Sequence, residues 1–546
     1  MNHHRPQTHY ALDLRQWQRL QWLNTPFDCV AHTAEMRHIS TGGGRYNIHN
    51  IGLFLWRVRA FPLTRSPAVA DVTLGGGLLM RFNPLGRDMA LYNTPETEEE
   101  ISHLAEPVNV PLPLDRRWLK AHLDDYYGPD KSLSLELAGA TPDDPPQLIH
   151  RSDICICDLS DIVDGGGTVT GWAYQPAAGS DKVAVDPVLG RIAFGDLPAT
   201  SVLVSFHYGF TTAIGGGEYE RGTTALVSPV LSVKGGAALQ PALNAVQGGG
   251  TVEVTDSHRY VETPTIKIDP GASVTLSAGK GARPLLVAGS NITLDLGAES
   301  TLILDGWVIT GGMLSLSAFG DDESRKLILR DCTLVPTTAN PALSVEHPFA
   351  KVELERCISG PLHIAADAEV DLRECIVDAT DPELVAYRAP GGDELIAGGA
   401  MTLESCTVIG KVHTRQLTMA SDCLFVAQLA STGETWTAPL WVERRQKGCV
   451  RFSYVPWGSR TPRRYHCQPQ AGDLQTRSHF TSLRYGDPGY CQLRLATPDT
   501  IRRGAHNESE MGVLNGLYQP QREINLKVRL DEYLRFGLEA GIFYAS

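Results

Sequence analysis

Five acidic residues recur through the middle of the chain, where they could act as general acids and bases: Asp305, Asp331, Glu355, Glu374 and Glu404. A pair of carboxyl groups that flanks a sugar is the catalytic apparatus of most glycoside hydrolases. These acids, however, occur about once per repeat, with basic residues nearby at Arg330, Arg356 and Arg373. That alternation is typical of a ladder of ion pairs on a solvated outer face. We therefore expect no catalytic residue among them.

Cysteine also recurs beside these acids, and a ladder of cysteines raises the alternative of a metal site. The positions are Cys332, Cys357, Cys375, Cys406 and Cys423. None of them has the CxxC spacing of common zinc sites. Because free cysteine is among the most buried residue types, we predict that these are core residues and that no metal is bound. Cys155 and Cys157, two apart on a predicted strand, are interpreted as core residues too.

Other motifs with a known mechanism are missing from the sequence. There is no HExxH, no GxSxG and no EF-hand loop, and SAGKGA at 277–282 lacks two required residues of a phosphate-binding loop. The net charge of −14 argues against a nucleic-acid partner. No secretory signal and no run of about 18 apolar residues is present, so we expect a cytoplasmic protein that does not insert into membranes. No cofactor is predicted.

The elements that carry these residues form a repeat. Its copies are LILDGWVI at 302–309, LILRDCTL at 327–334, VELERCIS at 352–359, VDLRECIV at 370–377 and MTLESCTV at 401–408. Apolar residues alternate, as in a strand, but the alternation breaks between Leu354 and Cys357, which are three apart. We expect the strand to turn a corner there and to resume with an inward cysteine. Strand lengths are constant while loops vary, which predicts a parallel β-helix over 233–432.

The start of this region adds a resemblance to a known fold family. A short amphipathic helix at 239–246, three glycines and the strand Thr251–Val254 resemble the entry of the pectin-lyase-like right-handed β-helices. The resemblance implies a right-handed parallel β-helix but no activity, since enzymes, adhesins and tail spikes share the fold. The Asn-Thr-Asp and Gly-His-Gly phrases of its hydrolases do not occur. RTPRR at 460–464 is one residue short of the lyase phrase, and Asp321-Asp322 is an isolated pair.

The flanks complete a mainly β fold class with four predicted segments. Residues 1–65 hold a helix with Leu14, Trp17 and Leu20 on one side, and then an aromatic-rich stretch at 45–63 that is either a buried strand or an arm docked on a neighbour. Residues 66–232 form a β-rich domain, with strands predicted at Lys131–Leu137, Val183–Val185, Ile192–Phe194 and Val202–Phe206. Residues 433–546 form a mixed region that ends in an amphipathic helix from Pro520 to about Glu539.

Long stretches of both flanks resemble structural, baseplate-associated proteins of phage tails and contractile injection systems. They are YNIHNIGLFLWRVRAFPLTRSPAV at 46–69, DPVLGRIAF at 186–194, VLVSFHYGF at 202–210, IGGGEYERG at 214–222, and 502–544 near the C-terminus. The resemblance implies a multi-copy or homo-oligomeric subunit in a baseplate, cage or fibre attachment, with baseplate, sheath, tube or fibre proteins as partners. It carries no catalytic residues with it.

Two interpretations of function therefore stay open. The first is an assembly subunit without catalysis. The alternative is a tailspike-like protein that binds or degrades polysaccharide. If the first holds, we expect that residues 505–546 can be removed without unfolding the β-helix.

Overall fold

The computed structural model describes residues 51–97, 106–141, 143–222, 224–338, 340–393, 395–470, 472–473, 475–534 and 540–545. The chain divides into two compact units, one from Arg59 to Tyr518 and one formed by the chain up to Val58 together with Gln519–Ser546. The predicted helix around Leu14, Trp17 and Leu20 lies outside the described residues.

A parallel β-helix occupies the centre of the larger unit, built from three parallel sheets. Sheet A has 11 strands: Val230–Val233, Gly250–Val254, Ser273–Ala278, Thr301–Asp305, Arg325–Arg330, Ala350–Glu355, Glu369–Arg373, Ala400–Glu404, Leu417–Ser421, Cys449–Arg451 and Arg463–Tyr465. Sheet B has 8: Arg259–Val261, Leu285–Val287, Val308–Thr310, Thr333–Leu334, Ile358–Ser359, Ile376–Asp378, Thr407–Ile409 and Leu424–Val426. Sheet C also has 8: Ile266–Ile268, Ile292–Leu296, Leu314–Leu316, Leu343–Val345, Leu362–Ile364, Val385–Arg388, Lys411–Thr414 and Leu440–Val442. The predicted fold class, mainly β with a parallel β-helix in the middle, is confirmed.

From the strand Thr301–Asp305 onward, the turn that leaves sheet A is made by one residue per coil in the left-handed backbone conformation. These residues are Gly306, Asp331, Arg356, Glu374, Ser405, Asp422, Phe452 and His466. A non-glycine residue with positive φ costs on the order of 1–2 kcal/mol, so the corner needs compensation. It comes from the next coil, where a carbonyl accepts the corner N–H: Asp331 N to Glu355 O is 3.0 Å and Arg356 N to Arg373 O is 2.9 Å.

Each corner is followed by a residue that points into the core, as the broken alternation predicts. The five cysteines at these positions, Cys332, Cys357, Cys375, Cys406 and Cys423, are buried. Their thiols donate to backbone carbonyls, as from Cys375 to Leu354 O at 3.4 Å. The prediction that these cysteines are core residues is confirmed.

The N-terminal part of the larger unit has two sheets that share one core. One sheet has the strand order Val69–Ala70, Leu79–Arg81, Arg191–Phe194, Val183–Asp186, Ile154–Ile156, and the other Arg59–Pro67, Val202–Phe210, Leu133–Leu137, Gln147–Leu148. A hairpin of Asp161–Val163 with Val169–Trp172 and the helices Arg116–Ala121 and Leu123–Tyr126 complete it. All four strands predicted in this region are present. Ile154 and Ile156 face the shared core, and alternation places Cys155 and Cys157 half-buried on the other face. Cys157 packs there against a second buried cluster that includes Leu79 and Trp172, so the prediction of core residues is confirmed for Cys157 only in part.

The structure divides two stretches of the chain, 433–546 and 45–63, in a different way from the sequence prediction. Sheet A continues to Tyr465 and sheet C to Val442, both past 432, and Phe452 and His466 take the corner position without the full cysteine phrase. A segment at 489–517, with the helix Asp499–Arg502, then packs on sheet B. Within 45–63, Ile51–Leu55 is a strand of the smaller unit and Arg59–Pro67 is a strand of the larger one.

The smaller unit contains a two-stranded parallel sheet and a helix. Ile51–Leu55 pairs with Ala540–Tyr544, and the rings of Phe54 and Phe543 stack with centroids 5.3 Å apart. The helix runs from Gln519 to Tyr533. Ile524 and Val528, predicted on its apolar side, are 42% and 52% exposed. Within the part of the chain that the structure describes, that side is therefore not a core face.

The inward and outward positions of one sheet A strand predict opposite effects of truncation. Leu372 is fully inward, whereas its neighbour Asp371 points to solvent. We expect Leu372→Ala to lower the free energy of unfolding by about 2–5 kcal/mol because it leaves a cavity in a packed core. Asp371→Ala is the matched control, with an expected change within about 0.5 kcal/mol. Urea denaturation measures both, and equal effects would contradict the assignment of faces.

Candidate functional site

The five acids examined for catalysis lie at or beside the corner, but they do not share one environment. Glu374 and Glu404 are exposed, as a solvated ladder requires. Asp305 and Asp331 are buried, with 4% and 1% of their surface accessible, which corrects the prediction that the whole ladder is solvated. They are buried because residues 212–224, which follow the last strand of the N-terminal sheets, cross the corner there.

Ion pairs hold most of this column. Arg356 binds both carboxylate oxygens of Asp331 at 2.9 Å and also contacts Glu355 at 2.6 Å. Arg221 lies 3.6 Å from Asp305, whose other oxygen accepts from the Thr224 hydroxyl. Burial raises the pKa of Asp305. These contacts give the buried acids a role in attaching the crossing segment to the coils.

The triple glycine at 215–217 is a site of close approach to the β-helix. Gly215 has a φ of 74° and donates its N–H to Arg356 O at 2.9 Å. A Cβ on Gly216 would lie 2.6 Å from Val308 and 3.0 Å from the backbone of Trp307. A side chain at Gly216 would therefore push the segment away from the coils.

The other sequence candidates serve as anchors. Asp321 pairs with buried Arg325 at 2.6 Å, which holds the pKa of the carboxyl at about 2. RTPRR at 460–464 does not form a separate site, since Arg463 begins the last strand of sheet A.

Two groups of side chains were missed because their members are far apart in sequence. His506 Nδ1 lies 2.7 Å from the carboxylate of Asp422, a residue 84 positions away in sequence, and the other oxygen of that carboxylate accepts the His506 backbone N–H. On sheet C, His413 stacks on Trp441 at 4.1 Å and meets the edge of Trp436 at 5.6 Å. Neither ring nitrogen of buried His413 has a hydrogen-bond partner among the described residues. Burial lowers its pKa to about 4.

A cavity of about 320 Å³ lies between the N-terminal sheets, sheet B and the loop at 484–487. Its walls include the rings of Tyr208 and Tyr485 and the side chains of Arg87, Arg283 and Arg484. The three arginines come from three distant parts of the chain, so no local pattern in the sequence could have predicted that they share a cavity.

Comparison with known proteins finds no family model that matches the chain and no curated protein with significant similarity to it. Among the described residues, no helix is long and apolar enough to cross a membrane.

The buried pair of Asp331 and Arg356 predicts a large effect of removing only the arginine. We expect Arg356→Gln to lower the free energy of unfolding by about 3–5 kcal/mol, because it leaves a buried carboxylate without a counter-charge. The double variant Asp331→Asn, Arg356→Gln should recover part of this loss, since asparagine also tolerates a positive φ. Lys326→Gln is the control, because its pair with Glu353 is exposed and should contribute less than about 1 kcal/mol. Equal losses for Arg356→Gln and Lys326→Gln in urea denaturation would refute the burial argument.

His413 predicts a pH dependence of stability in the acidic range. Its pKa is about 4 in the folded protein against about 6.5 when unfolded, so the unfolded chain takes up a proton first as the pH falls. Stability should therefore drop between about pH 6.5 and pH 4. We expect His413→Phe to reduce the slope of the unfolding free energy against pH in this range, by the amount that corresponds to about one bound proton.

Unfolding free energies at several pH values measure this effect. His122→Phe is the control, because His122 also stacks on a tryptophan, Trp118, but lies outside the β-helix. An unchanged slope in His413→Phe would show that His413 titrates normally.

Proposed function

We propose that the protein is a structural subunit of a contractile phage-tail-like particle, in the baseplate, its cage or a fibre attachment. It acts by protein–protein assembly, is assembled in the cytoplasm, and is present in several copies. The proposal begins with the sequence resemblance of both flanks. The structural observation that supports it best is the surface of the smaller unit.

That unit exposes apolar side chains on one strand of its sheet and on its helix. Phe54 is 63% exposed, and on the helix Ile524, Val528 and Tyr533 are 42%, 52% and 81% exposed. Ile524 and Val528 are four residues apart, so they share one face of the helix. Neighbouring exposed apolar groups are a feature of surfaces where another protein binds. The larger unit fits the role of a scaffold, because its coils are held by continuous ladders of backbone hydrogen bonds.

The docking region that we propose begins later in the chain than the sequence prediction has it. Residues 505–517 pack on sheet B through Met511, Val513 and Leu514, and Gly512 N donates to Asp422 O at 2.7 Å. Removing 505–546 would therefore uncover the β-helix, contrary to expectation. The region that can be removed starts at Gln519, where the smaller unit begins.

One observation favours the alternative of polysaccharide binding. Trp441 is half-buried on the outer face of sheet C, stacked on His413 and close to Trp436. Aromatic rings on an outer face suit contact with sugar rings. On this reading, the purified protein would bind glycans, and a degrading form would release reducing ends or unsaturated uronate from them.

Incorporation into particles tests the proposal. We expect Ile524→Asp, Val528→Asp to keep the fold and to fail to co-sediment with sheath-containing particles, because two charges now lie in the contact surface. Asn525→Asp adds charge at an exposed polar position of the same helix and should co-sediment like the wild type. Mass spectrometry of purified particles quantifies each variant. If the wild-type chain never co-purifies with particles, the proposal fails.

A further inference from the structure

The cavity between the N-terminal sheets, sheet B and the loop at 484–487 is lined by three arginines, Arg87, Arg283 and Arg484. Arg87 and Arg484 form no ion pair with any residue that the structure describes. The Nε of Arg283 donates to Gly216 O at 2.8 Å, and its guanidinium lies 5.4 Å above the ring of Tyr208. Three guanidinium groups therefore face one cavity in a chain whose net charge is −14.

The acids that line the same cavity form no ion pair with these arginines among the described residues. Asp88 is bound by Arg191 at 2.6 Å and by Arg81 at 3.0 Å, both outside the lining. Asp487 accepts a hydrogen bond from the Ser482 hydroxyl at 2.6 Å. The guanidinium groups of Arg87, Arg283 and Arg484 are left to pair with an anion, for which their planar forks suit carboxylate and phosphate.

The rest of the wall is apolar and largely aromatic. Leu85, Ile214, Phe210, Tyr208 and Tyr485 line it. Burial raises the pKa of Tyr208 and Tyr485, so both rings are neutral at pH 7. An apolar wall beside a group of guanidinium side chains favours a ligand with an apolar body over an inorganic ion. The volume, about 320 Å³, is at the lower end of the range for small-molecule sites.

We propose that this cavity binds a compact carboxylate on an aromatic body. The same chemistry is available from a free aromatic acid or from an acidic residue next to an aromatic one in another protein. The inference does not depend on the proposed function, because the cavity lies wholly within Arg59–Tyr518.

Calorimetric titration of the full chain tests the inference with three probes: benzene-1,3-dicarboxylate, N-acetyl-Phe-Asp-amide and inorganic phosphate. We expect one of the two carboxylate probes to bind in the millimolar range or tighter, phosphate to bind more weakly, and added NaCl to weaken binding. Tighter binding of the free acid indicates a small-molecule ligand, and tighter binding of the dipeptide indicates a protein segment.

Three variants locate the site. Arg87→Gln, Arg484→Gln changes exposed side chains without ion pairs, so it should fold normally and bind the probe at least about tenfold more weakly. Arg283→Gln should also weaken binding, with thermal unfolding measured alongside because this arginine contacts Gly216. Arg444→Gln is the control, because Arg444 is exposed, follows the last strand of sheet C and does not line the cavity. The inference is overturned if neither carboxylate probe binds, or if the arginine variants bind as the wild type does.

Discussion

From the strand Thr301–Asp305 onward, the coils of the β-helix turn out of sheet A at the same place, and this constraint governs the rest of the structure. The turn is a single residue in the left-handed conformation, stacked over the corner residue of the previous coil. Its N–H donates to the next coil, so a coil that turned one residue early would lose that bond and reverse the faces of the following strand. The residue after the corner points into the core for the same reason: it is a buried cysteine in five coils, and Trp307 and Ser453 are buried at the same position in two others.

The corner is also where the remaining parts of the larger unit attach. Residues 212–224 cross it from the N-terminal sheets and bury Asp305 and Asp331. Residues 489–517 approach from the other end of the chain, where the Gly512 N–H donates to the carbonyl of the corner residue Asp422 at 2.7 Å. A carboxylate taken out of water is costly unless it is paired, so Arg221 and Arg356 are needed as much by this packing as by the coils. These contacts cover sheet B residues such as Ile358, Ile376 and Ile409, while exposed apolar side chains occur in both units.

The fold could be predicted from the sequence where its cause is local. Alternation and its break between Leu354 and Cys357 are properties of a few adjacent residues, and they predicted the strands, the corner and the inward cysteines. The last coils were missed because Phe452 and Ser453 replace the usual acid and cysteine. The burial of Asp331, the pairing of His506 with Asp422 and the group of Arg87, Arg283 and Arg484 depend on contacts between distant segments. No pattern in a single stretch contains them. The half-burial of Cys155 and Cys157 was not predicted, because a short alternating strand does not show how completely each of its faces is covered.

The central claim is that the residues from Arg59 to Tyr518 form one cooperative body, fastened at the corner, and that the helix Gln519–Tyr533 is not part of it. Native-state hydrogen exchange of the full chain tests this most directly. The account predicts that the amides of Gly512 and Val513, which donate to Asp422 and Thr407, exchange only by the global unfolding that exposes the sheet A ladder. It also predicts that the amides of the helix exchange at a lower free energy. Fast local exchange at Gly512 and Val513 while sheet A stays protected would contradict it.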